Sequence, residues 1–238
     1  DSITGDYLNR KAALYYANRN FKEALEVAIK SENFNRSKNF KYNLGYIKIT
    51  IANIYSQTKN YPQAKVNYLS AVNFFKTQNN KSLYLISLYG LGKTNFHLKD
   101  LPSFQQTIQE IEMGIPQVSA QKQITETGYL NLLKGGYAYE NNKFTEAKDY
   151  FNKALPITLK KRDFANEHLI YLNLGKIAWQ QGHVEEAFSY LKKVDDLFTQ
   201  KQFLNYELRE AYTYLIAYAK QKNNLQLQVT YTEKLNKL

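Results

Sequence analysis

The 238-residue chain has three histidines and no cysteine, so few of its side chains could do covalent or metal chemistry. His97, His168 and His183 are the candidates for moving a proton or holding a metal. None has a carboxylate or a serine at the spacing that such work uses, and His183 follows Gly182 in a turn-like stretch. Without cysteine there is no disulfide, thiolate metal site or cysteine nucleophile. No glycine-rich run could cradle a phosphate, and Gly135-Gly136 lies within a helical pattern, where it reads as a close crossing. Glu185-Glu186 and Asp195-Asp196 read as a helix start and a solvated face. The expectation is a chain with no catalytic residue, no metal and no cofactor.

What remains is polar and aromatic binding chemistry, and its charge is uneven. The formal net charge is +11. From Asn33 to Lys99 there is no Asp or Glu, while ten Lys and Arg residues lie there, among them Lys41, Lys48, Lys59 and Lys65. The rest of the chain holds 22 basic against 21 acidic residues, so almost all of the excess sits in this block. Such asymmetry points to an anionic partner or to a neighbouring acidic segment. A compositional bias toward Lys and Asn explains it equally well. Tyr42, Tyr46, Tyr55, Phe74 and Phe75 interleave with the lysines, but Arg36 is the one arginine of the block. Nucleic-acid recognition favours arginine forks, so nucleic acid is not the favoured partner.

The elements that must position these residues are helices. Leu, Lys, Ala, Glu and Gln favour helix, and only ten Gly and four Pro interrupt the chain. No apolar run approaches the roughly 20 residues of a membrane helix, and no signal peptide is visible. The start at Asp1 without a methionine, and the end inside an amphipathic pattern, are expected of a trimmed or processed piece of a longer chain. The compartment stays open: cytoplasmic, or periplasmic if a longer parent carries a signal peptide and a membrane helix. Oligomeric state is not legible.

The clearest pattern is Tyr171 to Leu191, in which two amphipathic stretches flank Gln181-Gly182-His183. Taken as a ruler, this turn recurs before Phe21, Tyr61, Leu101, Phe144, Val184 and Leu225, at intervals of 40, 40, 43, 40 and 41. Three residues further on come Ala24, Ala64, Phe104, Ala147, Ala187 and Gln228. The crossing position of the preceding helix gives Ala12, Ala52, Gly92, Gly135, Gly175 and Ile216. Small residues at both positions let paired helices approach closely. The spacing predicts helix pairs near 4–36, 40–77, 81–115, 120–161, 164–200 and 204–238, in one domain over 1–238. Phe104 should splay or repack its pair, Pro156 should end or kink its helix, and Gln228 and Thr232 mark the sixth pair as degenerate, a cap or a join.

This pattern resembles the tetratricopeptide repeat, a helix-turn-helix unit of usually 34 residues that stacks into solenoids. The resemblance implies an all-α, right-handed α-solenoid of about six units, or about 12 helices. The six residues beyond 34 are expected between units, at stretches such as 77–81 and 160–163. Forty-residue variants look like the sensor regions of bacterial transcriptional regulators and like some eukaryotic adaptors. In this family the first helix of each unit lines a concave groove. Mapped here, the groove row contains Asn9, Tyr16, Asn53, Tyr89, Lys93, Tyr139, Lys176 and Trp179. Asn can hold a peptide backbone, rings give apolar pockets and Lys meets a carboxylate. The same rings could instead simply pack between units. No unit carries the Lys and Asn pair of the family's carboxylate clamp, so a co-chaperone role through that clamp is not expected. The implied role is non-catalytic binding of a peptide or protein segment, with an acidic one suited to the basic block, as the sensing part of a regulator. The alternative is a scaffold for assembling an envelope or secretion complex.

Overall fold

Helix follows helix with almost no chain between. In the computed structural model, which describes residues 2–201 and 207–238, the helices are α1 (Ser2–Ala17), α2 (Phe21–Ser37), α3 (Lys41–Gln57), α4 (Tyr61–Thr77), α5 (Lys81–His97) and α6 (Leu101–Gly114). They continue as α7 (Ala120–Glu140), α8 (Phe144–Lys161), α9 (Phe164–Gln180), α10 (Val184–Lys201), α11 (Leu208–Gln221) and α12 (Leu225–Asn236). Among the described residues there is no strand. The expected start of the sixth pair near Leu204 lies outside the described residues.

The ends of these helices share one chemistry. Arg19, Asn39, Lys59, Asn79, Lys99, Asn142, Arg162 and Asn223 all adopt positive φ, as does Gly182. Each left-handed residue closes its helix in the same way. At Lys59, for example, the N–H donates to the Ser56 carbonyl while the next N–H, of Asn60, donates to the Tyr55 carbonyl. A side chain in this conformation costs about 1–2 kcal/mol, offset by satisfying carbonyls at the helix end. The following residue often caps the next helix: Asn60, Asn80, Asp100, Asp163 and Asn224 each accept from a backbone N–H three residues on.

These joints correct two sequence expectations. The connections between pairs, such as 38–40 and 78–80, are as short as those within pairs, such as 58–60. The residues beyond a 34-residue unit therefore lengthen the helices, commonly to 17 residues, rather than the linkers. Pro156 does not end its helix, since α8 runs on to Lys161. A proline inside a helix costs about 3 kcal/mol, but here the flanking residues are anchored. Ala154 and Thr158 are buried, and Ile157 packs against Gly128 of α7. Pro116, by contrast, lies in a short 3-10 turn after α6.

The fold comprises two compact units, residues 1–126 and 127–238, with the boundary inside α7. In the first, each helix packs against the next from α1 to α6, and first helices also touch one another, α1 on α3 and α3 on α5. That is solenoid-type stacking. Ala12, Ala24 and Ala28 form one core with Ile47, Ile51 and Ile54. Phe104, in place of the usual Ala, is wholly buried with its ring edge-on to Phe96, so the pair is repacked around it. The second unit stacks α8 to α12 in sequence over two cores. One joins Leu132, Phe151, Ala154 and Leu174, and the other joins Leu191, Val194, Tyr212, Leu215 and Tyr231. A Cβ on Gly175 would lie 2.7 Å from the Leu191 side chain, which is why this crossing needs a glycine. In the degenerate sixth pair Gln228 and Thr232 stay half-buried, and Tyr231 supplies the apolar anchor instead.

Candidate partner-binding faces

In the first unit the face built by α1, α3 and α5 carries an open cavity of about 680 Å³. Its lining includes Asp6, Asn9, Arg10, Tyr42, Tyr46 and Ser82. Tyr42 and Tyr46 are 52% and 41% exposed, a large apolar area to leave in water. The Tyr42 hydroxyl accepts from Asn80, and Arg10 is paired on an exposed surface with Asp6 at 2.8 Å.

The residues of the expected groove row fare differently. Asn9 is only 2% exposed. Its amide donates to the Asn43 carbonyl and accepts from the Ser31 hydroxyl, in a buried network that also takes in Asn35. Tyr16 is half-buried against Phe21, and burial pushes its phenol up despite the opposing Arg19 charge. Asn53 accepts the hydroxyl proton of Tyr68 from its paired helix α4. Tyr89 donates to the Glu126 carbonyl. Half-buried Lys93 lies near His97, which stacks flat on Tyr61 at 4.6 Å. Burial first, then the charges of Lys93, Lys99 and Lys59, lower His97 to about 4.

The basic block is broken up by the acids at its two borders. Lys48 pairs with Glu32 at 2.9 Å, and Lys65 with Asp100 at 2.6 Å. The Lys65 hydrogen bond, helped by Ser103, brings Asp100 down to about 2. Burial opposes the charge on Glu32, but hydrogen bonds from Lys48 and Arg36 outweigh it and hold its pKa below the usual range. Lys41 and Lys59 are exposed.

In the second unit the corresponding first-helix face is occupied by its own side chains. The ammonium of Lys176 sits 5.2 Å over the Tyr139 ring and 2.7 Å from the Glu210 carboxylate. Burial works against that charge, and Glu210 overrides it, leaving the Lys176 pKa raised. Gln180 donates to the Tyr139 hydroxyl, and Trp179 meets Tyr214 edge-on at 5.7 Å. The structure thus joins Tyr139 and Lys176 directly, with Trp179 alongside on α9.

Sequence reasoning missed Asp195. Expected on a solvated face, it is 5% exposed, accepts the Tyr212 hydroxyl at 2.8 Å and pairs with Lys234 at 2.7 Å. The residues around Asp195-Asp196 gave no signal for this, because both partners come from later helices. His168 is 1% exposed, with Glu207 at 3.7 Å, and burial lowers it to about 4. Among the described residues no group of three or more His, Asp or Glu could hold a metal, and no helix is long and apolar enough to cross a membrane.

Comparison with known proteins agrees with this architecture. Residues 169–200 match the tetratricopeptide repeat family. No curated protein sequence matches the chain. Among solved structures it is similar to the apo form of RapI, with TM-score 0.66 and 15% identity over 98% of this chain and 82% of that one. It is similar to the quorum sensor NprR from B. thuringiensis, with TM-score 0.64 and 13% identity over 97% and 75%. PilW, a type IV pilus biogenesis factor, gives TM-score 0.60 and 15% identity over 98% and 92%. At such identities the likeness is one of fold. Residues 169–200 thus match one tetratricopeptide repeat, and the chain as a whole shares the helical solenoid fold of these structures.

Proposed function

We propose that the chain is a non-catalytic module that binds a peptide or protein segment on its first-helix faces. The observation that carries this reading is the cavity on α1, α3 and α5, with its two exposed tyrosines. An extended segment suits it. The rings offer apolar contact at little entropic cost, the tyrosine hydroxyls can still donate, and Arg10 keeps guanidinium donors beyond its bond to Asp6. Exposed Lys41, beside Tyr42, favours a segment with acidic residues. Tyr16, Asn53, Tyr89 and Lys93 continue the same row. In the second unit a ligand would have to take Tyr139, Lys176 and Trp179 from Glu210 and Tyr214.

The finer reading is the ligand-sensing part of a larger bacterial transcriptional regulator, and the fold shared with the quorum sensor NprR supports it. A second reading, an adaptor in an envelope or secretion assembly, is supported by the comparable likeness to the pilus biogenesis factor PilW. A helix-turn-helix or kinase segment following Leu238 in the parent gene favours the first, and a leading signal peptide the second.

A random peptide library displayed on phage and panned against the chain tests binding. Selected peptides, measured by calorimetry, should bind more weakly to Tyr46→Ala and Lys93→Ala at unchanged melting temperature. Peptides indifferent to both would remove the reading. Affinity that instead falls steeply with salt for mixed-sequence DNA would move the function to nucleic acid.

A further inference from the structure

We propose a second site, independent of the first-helix face: the cavity between α4, α5 and α6 takes a small apolar monocarboxylic acid that carries one N–H or O–H donor. The cavity measures about 360 Å³, within the range of small-molecule sites. Leu69 and Val72 of α4 and Leu88 and Leu91 of α5 give it apolar walls.

Its polar feature is Asn95 of α5, which is 1% exposed and part of the lining. The Asn95 Nδ2 donates to Thr107 Oγ1 at 3.2 Å, and Thr107 in turn donates its hydroxyl proton to the Ser103 carbonyl at 2.7 Å. Thr107 therefore has no proton left to give, which fixes the amide with its nitrogen toward Thr107. The Asn95 Oδ1 is left fully buried, with no hydrogen-bond partner among the described residues. A buried acceptor without a donor is costly. A ligand that brings a donor into this cavity removes that cost, so the site selects for one.

Charge at the rim selects the rest. Lys65 is committed to Asp100. Lys76 is exposed and has no ion-pair partner among the described residues, so it is the cation available to a carboxylate. Glu110, also in the lining, accepts from the Tyr84 hydroxyl and from Gln106. Its negative charge disfavours a second carboxylate on the ligand.

Two probes of one shape decide the matter: indole-2-carboxylic acid, and benzofuran-2-carboxylic acid, in which oxygen replaces the N–H. Each is titrated into the ¹⁵N-labelled chain and followed by amide NMR. Both should shift the amides of Leu88, Leu91 and Asn95, with the indole bound about tenfold more tightly, the scale expected for meeting a buried acceptor. In Asn95→Ala that preference should vanish. In Lys76→Gln both acids should weaken by a similar factor of about three, and Tyr46→Ala should leave both unchanged. Equal affinities in the unaltered chain, or shifts that miss the cavity, would overturn the proposal. The comparison of the two probes needs no variant, so a poorly folded Asn95→Ala does not blunt it.

Discussion

Lys93 and Lys176 hold the same place in the repeat, one on α5 of the first unit and one on α9 of the second, yet their surroundings are opposite. Lys176 is pinned between an aromatic ring and the carboxylate of Glu210. Lys93 stands where Lys59 and Lys99 also act on His97, inside a stretch that contains no acid. The repeat frame decides which way a side chain faces. Whether it is consumed there depends on what the next helix offers. In the second unit the face at Lys176 is closed by Glu210, whereas the first unit leaves the rings of Tyr42 and Tyr46 exposed beside its cavity.

The largest test of this contrast is Asp195→Ala. It strips the buried partner from Tyr212 and Lys234, and should lower unfolding stability by about 2–4 kcal/mol, measured in urea. A loss below about 0.5 kcal/mol would show that the second unit does not rest on such polar links.

Next comes Tyr46→Ala, on the open face. Peptide affinity should drop about tenfold, while the melting temperature moves by no more than a few degrees. A change dominated by stability would make the first unit's rings as structural as those of the second.

Smaller still is the coupling between Lys176 and Glu210. Because Glu210 is partly exposed, a double-mutant cycle with Lys176→Met and Glu210→Gln should give about 0.5–1 kcal/mol. Zero coupling would mean that the pair leaves Lys176 available to a ligand.

The finest test is proton uptake at His97 and His168, one in each unit and both lowered to about 4. A depressed histidine means that the folded state binds fewer protons than the unfolded one. The stability tied to each is therefore complete above the ordinary value near 6.5 and is lost as pH falls from there toward 4. Salt separates them. Lysine charges reinforce burial at His97, so raising ionic strength should lift its pKa by a few tenths of a unit, whereas His168, which burial lowers beside the Glu207 carboxylate, should not rise with salt. NMR titration of the imidazole protons reads both.

How much of this was visible in the sequence follows the same line. The packing frame was: Ala12, Ala24, Ala52, Ala64, Ala147 and Ala187 are wholly buried where the period put them. Periodicity sees a residue's facing because one helix determines it. The fate of Asn9, Asn53 and Asp195 was not legible, because each finds its partner on another helix, through contacts no local spacing encodes. Pro156 misled for a related reason. Its intrinsic cost was read correctly, but the tertiary anchoring of its neighbours was not.

The left-handed joints carry a consequence of another kind. Arg19, Asn39, Lys59, Asn79 and Lys99 follow one another at intervals of 20, and the joint within a pair is built like the joint between pairs. A gene crossover at one of these points would splice one working hinge to another. Such a chain can gain or shed whole pairs by recombination without inventing a new connection, so array length is a trait that evolution can adjust cheaply while the chemistry of each face is kept.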